Sequence, residues 1–204
     1  MICIVAVSLS ASAQIWKKPQ QAARNEATAT TEKKKKADPD KAYLAGAVPE
    51  VDGKVVFQRT IDAPGKNAQA VYELLLQKLQ EMTAATNMPK SQVAIVNEET
   101  REIIASFEEW LVFKQTALIT DRTRFYYTVH ATCHDGSADV SVIRLHYFYE
   151  EERDPQRMTA EEWISDKAAL NKKGTKLLPL SGKFRRKTID RMQALLNELA
   201  DTLK

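Results

Sequence analysis

Two long segments of alternating apolar residues, joined by a short polar turn, constrain the fold of this chain most strongly. Thr123–Cys133 and Ser137–Tyr149 are rich in aromatic and β-branched residues, and His134–Gly136 separates them. This pattern predicts a β-hairpin with Gly136 in the left-handed conformation. Because side chains alternate between the two faces of a strand, one face is predicted to lie in the core and the other to be partly polar.

The predicted register follows from treating His134–Gly136 as a three-residue loop, which places Cys133 opposite Ser137. This register brings the bulkier apolar side chains together, whereas a two-residue loop mixes the faces. The other predicted pairs are Phe125 with Leu145, Tyr127 with Ile143, Tyr126 with Arg144, Thr128 with Val142 and Arg124 with His146.

The rest of the chain predicts an α+β domain. Apolar residues recur at helical spacing after Asn67 and again near the C-terminus, and Thr159 with Glu162 forms the sequence of a capping box. The predicted strands outside the hairpin are Lys54–Ile61, Gln92–Val96 and Glu102–Gln115, and the predicted helices run from Asn67 to about Thr83, from Thr159 to about Leu170 and from about Lys183 to Leu203. This order, strand, helix, four strands, short helix and long helix, predicts a curved antiparallel sheet of about five strands with two main helices on one face.

The N-terminus predicts export. Met1–Ala13 combines an apolar run with small residues at its end, as in a secretory signal peptide cleaved near Ala13, although no cation precedes the run. A buried N-terminal strand is the alternative interpretation, and the run is too short to span a membrane. Residues 14–48 are charged and lack apolar periodicity, which predicts a flexible tether before a single domain at residues 49–204. We therefore expect a periplasmic or secreted protein.

Composition narrows the classes of function. The chain has 204 residues and a net charge of +3, a small excess compared with the basic surface of a dedicated nucleic-acid binder. After cleavage Cys133 is the remaining cysteine, so no disulfide within the mature chain is expected. Its position in an apolar strand pattern predicts a buried, inert thiol.

Little in the sequence points to catalysis or to a bound metal or cofactor. His130, Cys133 and His134 suggest a zinc site, but His130 and Cys133 point to opposite faces of a strand and His134 falls in the turn. The adjacent Glu108 and Glu109 also point to opposite faces, so they cannot act as paired carboxylates. The motifs of serine hydrolases, zinc proteases and phosphate-binding loops are absent. We expect no catalytic residue, metal or cofactor.

A group of cations near the start of the last predicted helix is the first candidate binding site. Lys183, Arg185, Arg186 and Lys187 occupy a region where the helix dipole disfavours positive charge. Three explanations remain open: ion pairs with acidic residues of the same chain, a helix that begins later, or a bound anion.

The aromatic residues of the hairpin are the second candidate. Because they occupy alternating faces, some of them must lie outside the core. Tyr126 and Phe148 are predicted to line a binding surface on the open face of the sheet, although core packing explains most of the aromatic set.

Four stretches carry a resemblance to a known family. They are VPEVDGKVVFQRTIDAPG at Val48–Gly65, DRTRFYYTV at Asp121–Val129, AEEWISDKAALNKK at Ala160–Lys173 and SGKFRRKTID at Ser181–Asp190. In these stretches the chain resembles exported bacterial proteins that carry a domain of unknown function, number 4468, with a TATA-binding-protein-like (TBP-like) fold. The resemblance implies the order of elements predicted above. It implies no activity, and a fold shared with a DNA-binding protein does not carry DNA binding across.

We expect a non-enzymatic exported domain that binds a partner protein, an envelope component or a small apolar or anionic ligand. A structural or assembly protein of the cell envelope is the alternative hypothesis, and a hydrolase is the third. A flat aromatic face favours a partner protein, an apolar cavity favours a ligand, and a buried carboxylate or histidine in a cleft favours an enzyme. We expect no nucleic-acid partner and no transmembrane segment in the mature chain.

We predict cleavage after Ala13 when the full precursor is expressed in its native host, because small residues precede Gln14 as signal peptidase requires. N-terminal sequencing of the purified protein checks this, and Gln14 is the expected first residue. A protein that retains Met1 contradicts export by this route.

Overall fold

The structure, a computed structural model, describes residues 39–204, so the predicted signal peptide and most of the predicted tether lie outside the described residues. The strands are Glu50–Val51 (β1), Lys54–Val55 (β2), Phe57–Asp62 (β3), Gln92–Asn97 (β4), Glu102–Gln115 (β5), Thr120–His134 (β6), Ser137–Tyr149 (β7) and Gln156–Thr159 (β8). The helices are Ala68–Ala85 (α1), Ala160–Trp163 (α2), Asp166–Ala169 (α3) and Pro179–Thr202 (α4). A 3-10 turn spans Lys41–Tyr43.

Within residues 39–204, six strands form one antiparallel sheet in the order β3-β7-β6-β5-β4, with β8 paired to the end of β7. Both long helices pack on one face of this sheet, and their buried residues join those of the strands in a single apolar core. Every second side chain of β6 from Thr123 to Cys133 is buried. The predicted α+β class, with two main helices on one face, is confirmed.

Local sequence signals explain where the helices begin. The Asn67 side chain accepts a hydrogen bond from the Ala70 amide at the start of α1, and Thr159 with Glu162 forms the predicted capping box at α2. α4 starts at Pro179 instead of near Lys183, because proline fits the first turn of a helix, where its missing N–H is not needed.

Some boundaries differ from the prediction. The predicted strand Lys54–Ile61 is interrupted at Val56, and the short helix after Thr159 is split into α2 and α3. β8 has no clear alternating pattern in the sequence and was not predicted; it adds a strand beside the end of β7.

The predicted register of the hairpin is wrong by one residue near the turn and by two residues farther along the strands. His134 pairs with Ser137 and Cys133 pairs with Ala138, so two residues, Asp135 and Gly136, connect the strands. Gly136 has the expected left-handed conformation, with a φ of +75°. Farther from the turn, the pairs are Thr128 with Ile143, Tyr126 with His146, Phe125 with Tyr147 and Arg124 with Phe148.

A β-bulge reconciles the two-residue turn with the apolar pattern. Between the pairs Thr128–Ile143 and Tyr126–His146, β7 contains one more residue than β6, and Arg144 there has a φ of +58°. The extra residue shifts the buried positions of β7 from even to odd numbers, so both Val142 and Leu145 face the core. The prediction assumed one uninterrupted register and therefore displaced the turn.

We predict that Arg144→Val lowers the free energy of unfolding by about 1–2 kcal/mol, because a β-branched residue is strained at positive φ. Arg144→Asn is the matched control, since it also removes the charge but tolerates this conformation. Urea denaturation of the three proteins checks this, and equal losses for the two variants contradict it.

Candidate functional site

Arg185, one of the cations predicted to bind an anion, is fully buried and engaged inside the domain. Its guanidinium donates hydrogen bonds to the carbonyl oxygens of Tyr43 and Leu44 at 2.6 and 2.7 Å. It also donates to the Ile164 carbonyl at 2.7 Å and to Asp166 Oδ1 at 2.6 Å. These bonds join the N-terminal segment, the α2–α3 connection and α4, and they leave this side chain no access to an external anion.

The other three predicted cations have different neighbours from those of Arg185 and from one another. Lys183 Nζ lies 2.7 Å from Asp121 Oδ2, and Arg186 Nη1 lies 2.9 Å from Asp40 Oδ1. Lys187 is exposed on α4. Internal ion pairing, one of the three explanations left open by the sequence, accounts for three of the four cations, and the structure does not bring the four together around one site.

Contacts of residues 43–48 show that the folded domain begins before residue 48. The Tyr43 hydroxyl donates a hydrogen bond to Asp190 Oδ1 at 2.9 Å, the Gly46 amide donates to Asp166 Oδ2 at 2.8 Å, and Val48 is buried. The predicted tether boundary at residue 48 is therefore too late, because the interactions that hold this segment come from α3 and α4, far along the chain.

A different group of residues lies together on the face of the sheet that no helix of residues 39–204 covers. The strand register aligns them in two adjacent rows across β5, β6, β7 and β8. The first row is Glu108, Tyr126, His146 and Thr159, and the second is Trp110, Arg124, Phe148 and Arg157. We call these eight residues, with Arg122, the open-face cluster.

Glu108 lies at the base of the open-face cluster, with only 1% of its surface exposed. Its carboxylate accepts hydrogen bonds from Arg124 Nη1 at 2.5 Å, from the Tyr126 hydroxyl at 3.1 Å and from the Lys90 amide at 3.2 Å. Burial by itself raises the pKa of Glu108, but these hydrogen bonds outweigh it and hold the pKa below its ordinary value of 4.5. Glu108 is therefore a buried, ionised carboxylate at neutral pH.

Arg124 connects the base of the open-face cluster to its surface. Besides its bond to Glu108, its Nε lies 2.7 Å from Glu151 Oε1, an ionic contact without hydrogen-bond geometry. Its guanidinium carbon is 4.9 Å from the centre of the Trp110 ring. Arg124 is thus held on three sides, and its charge is largely balanced by the two carboxylates.

Aromatic rings and further cations form the outer part of the open-face cluster. Arg122 lies over the Trp110 ring at 3.7 Å from its centre, and Arg157 lies over the Phe148 ring at 4.6 Å. Both arginines are exposed, and within residues 39–204 no carboxylate lies at ion-pair distance from either. Their charges are consequently available to a molecule that approaches this face.

Next to these rings is an open groove of about 480 Å³ between the β5–β6 and β7–β8 turns. Trp110, Arg122 and Phe148 line it, and the exposed apolar side chain of Ile119 stands at its edge. Asp121 and Glu150–Glu152 also line the groove, so it has mixed charge, and it is continuous with the open-face cluster through Trp110, Arg122 and Phe148.

The two aromatic residues predicted for this face lie where they were expected. Tyr126 stacks on His146 with ring centres 4.8 Å apart, and Phe148 lies in the neighbouring row. The sequence reasoning missed Trp110, Arg122 and Arg124, although the alternation of β5 and β6 places even-numbered residues on the same face as Tyr126. His146 was misplaced opposite Arg124 because of the register error.

The histidine and cysteine residues are dispersed. His130 lies on the open face, with its Nε2 2.5 Å from Glu102 Oε1, whereas Cys133 lies in the core, where burial raises the pKa of its thiol to about 11. Glu109 points to the helix side and contacts Arg191, away from Glu108.

Two further kinds of feature are absent from the described part of the chain. No three His, Cys, Asp or Glu side chains there are arranged to hold a metal. No helix there is long and apolar enough to cross a membrane.

We predict that Arg185→Ala lowers the free energy of unfolding by about 3–5 kcal/mol, because it leaves buried carbonyl groups and Asp166 without their partner. Arg186→Ala is the matched control, with an expected loss of at most about 1 kcal/mol for a partly exposed ion pair. Thermal and urea denaturation check this. Similar small losses for both variants contradict a structural role for Arg185.

Comparisons with known proteins agree with this architecture. Residues 57–148 match the model of a domain of unknown function, DUF4468, with a TBP-like fold. A crystal structure of a DUF4468 family protein from Bacteroides ovatus is 36% identical, covers 81% of this chain and 95% of its own, and superposes with a TM-score of 0.77. A TBP-like protein from Parabacteroides distasonis, 16% identical over 76% of this chain and 96% of its own, shares the fold with a TM-score of 0.63. No curated protein matches the chain. The extent and identity of the first match show that this chain belongs to the DUF4468 family with a TBP-like fold.

Proposed function

We propose that this chain is a non-enzymatic domain of an exported protein, and that it binds an acidic surface of a partner protein through the open-face cluster. The observation that carries the proposal is the pairing of Arg122 with Trp110 and of Arg157 with Phe148 on an uncovered sheet face. In each pair an exposed guanidinium rests on a ring, without a carboxylate partner among residues 39–204.

The composition of the open-face cluster supports a protein partner. Tryptophan, tyrosine and arginine contribute most of the binding energy in protein interfaces, and aromatic side chains lose little conformational entropy when they bind. The rings lie on three adjacent strands, and Arg157 lies on a fourth, so the surface is formed before binding. The planar guanidinium groups favour carboxylates, which they bind with two parallel hydrogen bonds.

The state of Glu108 favours a binding surface over a catalytic one. A buried carboxylate that acts as a general acid needs a raised pKa, so that it carries a proton near neutral pH. Glu108 has a lowered pKa, and its oxygens accept bonds from Arg124, Tyr126 and the Lys90 amide. We infer that it positions Arg124 and Tyr126 in the open-face cluster.

The position of the N-terminal segment is compatible with a tethered domain. Tyr43 and Leu44 are bound by Arg185 of α4, on the covered side of the sheet. The open-face cluster on the opposite side is therefore free of this described segment. An exported protein held through its N-terminus still presents the cluster to a partner.

Photocrosslinking in the native host tests this proposal. We replace Phe148 with the crosslinking residue p-benzoylphenylalanine, and we replace Leu180, which is half exposed on α4, as a matched control. Illumination is expected to join the Phe148 variant to one discrete protein and to leave the Leu180 variant without that adduct. Adding Arg122→Ala and Arg157→Ala is expected to lower the yield about tenfold, as the loss of interface arginines does.

Two results contradict the proposal. The first is an adduct that forms equally from Phe148 and Leu180, or from neither. The second is an adduct from Phe148 whose yield does not change in the double arginine variant, while the melting temperature shows that this variant is folded.

A further inference from the structure

β4 is an edge of the sheet with an unusual surface. In the described part of the chain β5 is its one neighbour, so the backbone N–H and C=O groups of its outer side have no strand partner. Ile95 and Val96 are 51% and 54% exposed on it. The strand Gln92–Asn97 contains no charge and no proline, whereas the opposite edge strand, β3, carries Arg59 and Asp62.

The ends of β4 carry opposite charges. Lys90 precedes the strand, and Glu98 and Glu99 follow it, all three with exposed side chains. If two copies of the strand pair in an antiparallel manner, the basic end of each lies beside the acidic end of the other. The strand is therefore complementary in charge to a second copy of itself.

The β-bulge in β4 allows two copies of the strand to pair along its whole length with matching faces. The register against β5 shifts between Val93 and Ile95, so that Gln92 and Asn97 lie on the open face, while Val93 and Val96 lie on the helix side. Directly opposite residues in a sheet must share a face. Pairing Gln92 with Asn97 and Val93 with Val96 of the other copy meets this condition for every pair outside the bulge.

We propose that β4 is a homodimer interface, where two copies of this chain join edge to edge around a two-fold axis beside Ala94. In this dimer the exposed Val96 covers Val93 of the other copy, and the two sheets become continuous. The two open faces then lie on the same side. This inference does not use the Trp110–Arg122 and Phe148–Arg157 pairs that carry the proposed function, although Lys90 also lies beside the open-face cluster, with its Nζ 5.1 Å from the centre of the Tyr126 ring.

Charge reversal of the full-length protein tests the dimer. Lys90→Glu places acidic residues at both ends of β4, and the double variant Glu98→Lys with Glu99→Lys places basic residues at both ends. Each variant alone is expected to dissociate at least about tenfold more readily, because like charges then meet at both ends. An equimolar mixture of the two is expected to form a heterodimer, since opposite charges again meet at both ends. Light scattering after size exclusion and native mass spectrometry measure this.

A second pair of variants tests the apolar contact. Val96→Glu is expected to yield a monomer, because a charge is buried against Val93 of the other copy. Leu118→Glu is the matched control, since this residue is 94% exposed at the β5–β6 turn, away from β4. Three outcomes overturn the inference: a monomeric wild-type protein at all concentrations, equal effects of the two glutamate variants, or charge-reversed proteins that fail to combine while their melting temperatures remain high.

Discussion

The ion pair between Glu108 and Arg124 determines what the open side of this sheet can present. A carboxylate with 1% exposure is stable only if its charge is matched and its oxygens are hydrogen-bonded, and Arg124, Tyr126 and the Lys90 amide meet this need. These hydrogen bonds also fix the positions of two side chains of the open-face cluster. Arg124 is held against Trp110, and Tyr126 is held against His146, so the rings of three neighbouring strands keep a fixed arrangement.

The covered side of the sheet depends on a second charge, which is buried for a different reason. Arg185 supplies hydrogen-bond donors to three carbonyl oxygens, those of Tyr43 at the end of the 3-10 turn, of Leu44 after it and of Ile164 between α2 and α3. Replacement by lysine does not reproduce this, because an ammonium group lacks the planar set of donors. The arginine thereby holds Tyr43 and Leu44 against α4.

Local patterns in the sequence were sufficient to predict much of the fold. The helix that starts after Asn67, the capping box at Thr159 and the alternation of β6 depend on local signals, and each was found in the structure as predicted. The extra residue at Arg144 was not predictable in this way. A bulge is stabilised by the neighbouring strand and by burial on both of its sides, and neither is visible in a single segment.

The candidate site was only partly predictable for the same reason. Alternation identified Tyr126 and Phe148, but their relation to Trp110 and Arg157 depends on the register between strands, which the misplaced turn had shifted. Arg185 and the cations beside it were conspicuous in the sequence, yet Arg185 donates to the carbonyl groups of Tyr43 and Ile164, more than twenty residues away along the chain. Burial of an arginine follows from such distant contacts, and local composition does not reveal it.

The most direct test of this account is the titration of Glu108, followed by NMR of its side-chain carboxyl carbon in the folded protein. Glu108→Gln assigns the resonance, since it removes that signal alone. If Glu108 is the ionised base of the open-face cluster, its titration midpoint lies below 4.5. A midpoint above 4.5 contradicts the account, because the carboxyl group then binds a proton more readily than in water, and its hydrogen bonds to Arg124, Tyr126 and the Lys90 amide do not outweigh its burial.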